Sequence, residues 1–359
     1  MPKISAKRKK AYIFMFLASV IWGISPPVIK LGLNEVSTFT FLFVRFLLTS
    51  LVLFPLFLVH IKKHPIKLKD IGEMGILGIL VFTVALSFYF FGIDRTTSID
   101  ASLIGATNPI IITIAGIFFL KEVVTKQERL GSGLALFGTL IIILQPIAEA
   151  CATAGEGFCL LGQSPIKTQI FGNILIIAYL AANSAYTILT RRCLKKRLRI
   201  TPFSKLCVEF FVATITIFPF AAWEVSREVN IFIAKPALAK HSDLITLNVG
   251  SAVDVNFYEK ERKSVSVVSY VVSQFSFSSV MALLYMSLLS GAVAYYFYIA
   301  GLSLIEASEA SVFTYIHPVL TVPTAYLLLG EIPSPVFLLG AVVIAAGVYL
   351  AETRKKVIF

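Results

Sequence analysis

The sequence predicts an all-α polytopic membrane protein in which ten transmembrane helices form two inverted five-helix repeats. Three observations carry that prediction. The composition is too apolar for a water-soluble fold, ten runs of about twenty apolar residues follow one another, and the second half repeats the first in register. Of 359 residues, 57% are hydrophobic and 14% are charged, against roughly 45–50% and a quarter in soluble domains. Helices of about twenty apolar residues cross a bilayer because each backbone group is satisfied within its own segment.

The runs lie near 11–33, 38–59, 71–93, 99–120, 128–147, 170–190, 203–223, 279–302, 307–329 and 334–351. The first is too long for a cleavable leader, and no small-residue cleavage site follows it. An even count returns both termini to the same side. With that side cytoplasmic, the inner segments hold 22 of the 32 Lys and Arg residues, from MPKISAKRKK at the start to RKK in the tail. The short outer loops hold only Lys30, Arg95 and Lys167. This is the positive-inside bias that orients membrane helices, and it predicts a multi-pass protein of the cytoplasmic membrane. The net charge of +12 therefore marks helix ends; a nucleic-acid surface would gather it on one folded face.

Displacing the chain by 209 residues aligns helices three to five with eight to ten. The matches include Ala85/Ala294, Tyr89/Tyr298, Gly92/Gly301, Pro109/Pro318, Glu122/Glu331, Gly131/Gly340 and Gly138/Gly347. A displacement of 164 matches the second helix to the seventh, through Phe39/Phe203, Phe46/Phe210, Phe54/Phe218 and Pro55/Pro219. Five helices per half force the halves into opposite orientations, the plan of secondary transporters whose site lies near the midplane. The expected organisation is a first repeat at 1–147, an extracytoplasmic linker at 148–169, a second repeat at 170–351 and a cytoplasmic tail at 352–359. An extracytoplasmic insertion at about 224–278 accounts for the two displacements; its alternating core (ITLNVGSAVDVNFYEKERKSVSVVSYVV) suggests a small hairpin.

These features resemble the drug/metabolite transporter superfamily, in particular its ten-helix EamA-type members. The resemblance rests on IWG followed by proline (Ile21 to Pro27), FLFVRFLL around Arg45, AYLAANSAYTILTRR in the sixth helix, and two proline-containing helices that end LKE and LGE. It implies two five-helix bundles about a central cavity, alternating access, and export or exchange of small metabolites. Two departures stand out: Ala185-Tyr186 replaces the Ile21-Trp22 pair in the second half, and Glu209 stands where the first half has Arg45.

Candidate site residues cluster about the paired prolines. Proline inside a helix frees the carbonyl four residues earlier, here that of Gly105 or Thr314. In hydrocarbon such a carbonyl has to face protein or a watered cavity. Thr107, Asn108, Thr314, Tyr315 and His317 are accordingly expected at a substrate site, with Trp22, Tyr89, Tyr186 and Tyr298 as aromatic walls. The alternative is a packing kink at Pro109 and Pro318, with Asn108 satisfied by a neighbouring helix. Arg45, about 10 Å inside its helix, is either an anion clamp or gate or a structural arginine bound to carbonyls. Glu209 is either a proton-coupling carboxylate or the partner of the basic link at 191–205. His317 is a second titratable candidate. Glu122 and Glu331 read as ties between helix ends.

No metal or cofactor is expected. His60 and His64 have a suggestive spacing but no third ligand, and the chain has no phosphate loop, nucleophile elbow or HExxH motif. Cys151 and Cys159 share an outer loop and are a candidate disulfide. Small residues on the fifth and tenth helices (Gly131, Ala135 and Thr139; Ala341 and Ala345) permit close packing within the protomer or in a homodimer. The expectation is a carrier of a small amino-acid-like, polar or amphipathic solute, surrounded by membrane lipid and driven by a gradient or exchange. The alternatives are a translocase for a lipid-linked substrate, and a membrane-embedded sensor or enzyme.

Overall fold

A computed structural model describes residues 6–112, 126–153, 164–196, 200–245 and 274–352. They form ten helices: α1 (Ala6–Leu33), α2 (Thr38–Lys63), α3 (Leu68–Arg95), α4 (Ser98–Ile112), α5 (Lys126–Thr153), α6 (Ser164–Lys196), α7 (Pro202–Ile245), α8 (Phe277–Leu302), α9 (Ala307–Leu329) and α10 (Pro335–Glu352). Seven are long and apolar enough to cross a membrane; α4, α5 and α10 contribute shorter apolar stretches. Large apolar side chains such as Phe277, Leu327 and Ile215 lie exposed. A soluble protein would pay for that surface, whereas lipid accepts it. The seventh helix runs to Ile245, so the expected insertion begins as a continuation of α7 and not as a loop at 224. The expected hairpin, Glu122 and Cys159 lie outside the described residues, as does the side chain of Cys151.

The packing obeys the inverted repeat. The first helix of each half leaves its own half: α1 packs on α8 and α9, and α6 packs on α3 and α4. Three other pairs of equivalents pack on one another, α2 with α7, α4 with α9 and α5 with α10. Equivalent residues meet where the pseudo-twofold axis passes. Phe46 and Phe210 have ring centroids 5.9 Å apart, and the Ser50 and Thr214 hydroxyls lie 2.9 Å apart.

The small faces of α5 and α10 close on each other within the protomer. A Cβ at Gly347 would stand 2.4 Å from the Ala135 backbone nitrogen, and one at the equivalent Gly138 would stand 2.9 Å from that of Ile344. Gly347→Ala should therefore cost on the order of 1–3 kcal/mol through overpacking, read as a lower unfolding temperature of the purified protein. Gly133, on the facing helix α5 with open space around it, is the control: its replacement by Ala should be neutral or stabilising.

Carboxylates from neighbouring segments cap three helices. Glu35 accepts from the hydroxyls of Ser276 and Ser278 at the start of α8, and the Ser276 bond holds its carboxyl below the usual range. Glu224 accepts from Thr40 N and Oγ1 in the first turn of α2, at 2.8 and 3.2 Å. Glu331 accepts from the amides of Ser98 and Ile99 at the start of α4, at 3.1 and 3.2 Å. Negative charge at a helix N-terminus satisfies orphan amides and opposes the helix dipole. Gly330, at φ 68°, places Glu331 there: its left-handed cap ends α9 and turns the chain toward α4.

Candidate functional site

Two kinds of helix irregularity shape the middle of the molecule. The α4 chain leaves the helix after Gly105, turns through Ala106 and Thr107, and resumes at Asn108. The α9 chain tightens into a 3₁₀ turn over Val312–Tyr315 and resumes at Ile316. Pro109 and Pro318 thus sit in the first turn of a new helical segment, where a missing amide costs little. They mark interruptions, a sharper feature than the expected kinks. In addition, α3 widens to a π-helix over Ile79–Ala85 and α8 over Tyr285–Ala294. Both π segments end at the equivalent pair Ala85/Ala294. Such segments are rare and concentrate at functional sites.

The π segment of α8 offers carbonyls to its neighbours. Arg45 Nε donates to the Met286 carbonyl at 3.0 Å, Thr49 Oγ1 to that of Ser287 at 2.9 Å, and Trp22 Nε1 to that of Ser290 at 3.2 Å. These contacts hold α1, α2 and α8 around a central cavity. Its space, measured to the centre of a water-sized sphere, is about 90 Å³. One water needs about 10–15 Å³ of such space, so there is room for several waters or a small solute.

The walls come from α1, α2, α3, α4, α6, α8 and α9, and equivalent positions of the two halves recur in them. Met15 and Ser19 of α1 answer to Tyr179 and Asn183 of α6; Tyr89 answers to Tyr298; Gly105, Asn108 and Ser102 of α4 answer to Thr314, His317 and Ser311 of α9. Tyr89 and Tyr179 pack with ring centroids 4.5 Å apart, and Trp22 lies 4.8 Å from Tyr295 and 5.2 Å from Tyr298.

Of the expected site residues, the cavity gathers Trp22, Arg45, Tyr89, Asn108, Tyr298, Thr314 and His317, together with Gly105 beside its proline. Asn108 Oδ1 accepts from Ser184 at 3.0 Å, and the Tyr298 hydroxyl bonds Thr187 at 2.7 Å. The His317 Nε2 atom is buried without a protein partner. Three expectations need correction. Thr107 lies behind the wall, its hydroxyl turned back onto the Ile104 carbonyl at 2.7 Å. Tyr315 ends the 3₁₀ turn packed against the hydrophobic core and is not among the residues that line the cavity. Tyr186 donates to Glu209 at 3.1 Å and is fully buried there.

Glu209 itself does not face the cavity. It pairs with Lys205 one turn earlier on α7, both side chains completely buried. Of the two sequence readings, this is the partner within the basic link. Arg45, its counterpart in the other half, has no such acid: its guanidinium lies between Phe46 and Phe90, 5.8 and 5.5 Å from the ring centroids. Sequence reasoning missed Tyr179, Asn183, Ser102, Ser290 and Tyr295 as wall residues. The repeat held a signal for two of them, since Asn183 and Tyr179 align with Ser19 and Met15. Among the described residues no group of His, Cys, Asp or Glu is placed to hold a metal.

A ten-helix fold with a central cavity narrows the possible families, and sequence comparison decides among them. The EamA-like transporter family matches residues 9–144 and 264–353, one segment in each half. The chain belongs to the EamA-like transporter family. This EamA protein is 24% identical over 357 residues to the uncharacterized transporter YetK of Bacillus subtilis (strain 168), covering 98% of this chain and 89% of the relative. It is 24% identical to an uncharacterized transporter of Archaeoglobus fulgidus, covering 96% and 98% of the two chains. A solved crystal structure of a protein 17% identical superposes with a TM-score of 0.54 over 96% of both chains, a likeness of fold alone. The EamA chain is thus a multi-pass membrane transporter of a family that carries solutes, not an enzyme.

Proposed function

We propose that this EamA protein is a secondary transporter that moves a small polar or amphipathic metabolite across the cytoplasmic membrane by alternating access. It acts as an exporter or exchanger with both termini cytoplasmic. The observation that carries this reading is the central cavity, walled by equivalent residues of two halves related by a pseudo-twofold axis. Such a site, bounded by helices of opposite orientation, can be exposed to either side by rocking one set of helices against the other.

In this reading Asn108, His317, Thr314, Trp22, Tyr89 and Tyr298 contact the substrate, and Arg45 sets the charge of the site. The broken segments of α4 and α9 supply backbone carbonyls at Gly105 and Thr314 at the midplane. The Lys205–Glu209 pair holds α7 and α6 together and stands apart from the substrate.

Counterflow in proteoliposomes tests the reading. Vesicles preloaded with each member of a metabolite panel are given the same solute in labelled form, with and without a pH gradient. At least one solute should accumulate transiently when preloaded and fail to do so in protein-free vesicles. Absence of protein-dependent movement for the whole panel under every gradient would contradict the carrier reading.

A further inference from the structure

Among the described residues, the cavity wall contains a cation and no carboxylate. Arg45 is 1% exposed, and none of the residues around it in the cavity is Asp or Glu. One guanidinium nitrogen, Nε, is used by the Met286 carbonyl, while Nη1 is buried without a partner. Two other buried wall atoms, Ser102 Oγ and His317 Nε2, likewise have none. Most of the remaining polar groups in the wall are already satisfied by the protein: the Trp22 indole, the Asn108 carbonyl oxygen, and the Thr314 hydroxyl, which donates to Ser311 at 2.7 Å. The nearest acid by repeat symmetry, Glu209, is committed to Lys205 and Tyr186.

A buried guanidinium without a counter-charge is costly, and so is a buried donor left without an acceptor. A guanidinium with free N–H groups recognises carboxylates and phosphates by charge-assisted hydrogen bonds. Among the described residues a single arginine and no lysine line the cavity, which matches one negative charge and leaves the second charge of a phosphate dianion unpaired. Around this cation the wall is aromatic, with Trp22, Tyr89, Tyr179 and Tyr295, so the rest of the ligand is apolar or planar.

We propose that the cavity binds a small amphipathic organic monoanion, its carboxylate on Arg45 Nη1 with Ser102 and His317 as further contacts, and its apolar body against the aromatic wall. This deepens the carrier reading by naming the substrate class, and it rests on that reading only for transport, not for binding.

A matched series tests it: phenylacetate, its neutral amide phenylacetamide, the cation phenethylamine, and phenyl phosphate, each measured for equilibrium binding to the full-length protein in lipid nanodiscs. Phenylacetate should bind at least about tenfold more tightly than the other three, the scale of a charge-assisted hydrogen bond lost or a charge left unpaired. Arg45→Gln should remove that preference, and Arg45→Lys, which keeps the charge, should retain part of it. Ser102→Ala should weaken phenylacetate severalfold while leaving the amide unchanged. Equal or tighter binding of the amide, the amine or the phosphate would overturn the proposal, as would failure of phenylacetate to bind at millimolar concentration or a preference that survives Arg45→Gln. The same series in counterflow separates the two ideas. Arg45-dependent binding with no counterflow by any member of this series or of the metabolite panel keeps the site and sinks the carrier; counterflow of neutral or cationic solutes without anion binding does the reverse.

Discussion

Glu209→Leu should destabilise the protein by on the order of 3–5 kcal/mol, and adding Lys205→Met should restore most of that loss. The reason is the environment of the pair. Both side chains are fully buried, Lys205 donates to the Tyr186 hydroxyl at 3.1 Å, and its ammonium lies 4.5 Å from the Tyr186 ring centroid. Removing the carboxylate alone leaves an ammonium with no counter-ion and no water. Removing both charges replaces a desolvated ion pair by apolar packing, which is often neutral or better. Thermal unfolding of purified single and double variants checks the sign. An additive double variant, as unstable as the two losses summed, would show that the pair is not coupled. Counterflow by the double variant decides the remaining role: retained transport with an unchanged response to a pH gradient assigns the cluster to structure.

Glu331→Ala should produce the second large effect, where the end of α9 meets the start of α4. The carboxylate holds the Ser98 and Ile99 amides and the Ser98 hydroxyl, at 3.1, 3.2 and 3.3 Å, and pairs with Lys30 at 3.3 Å. Lys30 in turn donates to the Thr96 carbonyl. One residue just past the end of α9 thereby ties the start of α4 to the end of α1. Loss of an N-terminal cap and its charge typically costs about 1–2 kcal/mol, and Glu331→Gln should cost less because the amide still offers one acceptor. Because the tie joins α1, α4 and the end of α9, helices that all wall the cavity, the Ala variant should raise the accessibility of cavity residues beyond what its stability loss explains. Unchanged accessibility would assign Glu331 to helix capping alone.

Much of the fold was legible because hydrophobic run length and repeat register are local and additive signals. The Phe46/Phe210 and Tyr89/Tyr298 matches placed residues that meet at the axis or face one cavity. The exchange of first helices between halves was not legible, because it depends on which helices pack and not on what any one contains. The π segment over Tyr285–Ala294 also escaped: nothing in YMSLLSGAVA marks an extra residue per turn, and the strain is offset by donors from Arg45, Thr49 and Trp22 on other helices. Within the site, the paired prolines pointed to the correct two helices, but rotation about each axis decided which neighbours faced inward. Thr107 turned back on its own backbone, as hydroxyls in helices do. Tyr186 was drawn to Glu209 by one of the changes that break the symmetry, an acid where the other half has Arg45.

The central claim is that one midplane cavity opens in turn to each side of the membrane, and thiol accessibility tests it most directly. In a background with Cys151, Cys159, Cys193 and Cys207 replaced by Ser, Asn183→Cys places a thiol in the cavity wall. Asn34→Cys, at an exposed position between α1 and α2, provides a one-sided control. A membrane-impermeant maleimide applied to right-side-out and inside-out vesicles should modify the Asn183 position in both and the Asn34 position in only one. Modification of the cavity thiol from a single side under all conditions, with the control behaving as stated, would contradict alternating access.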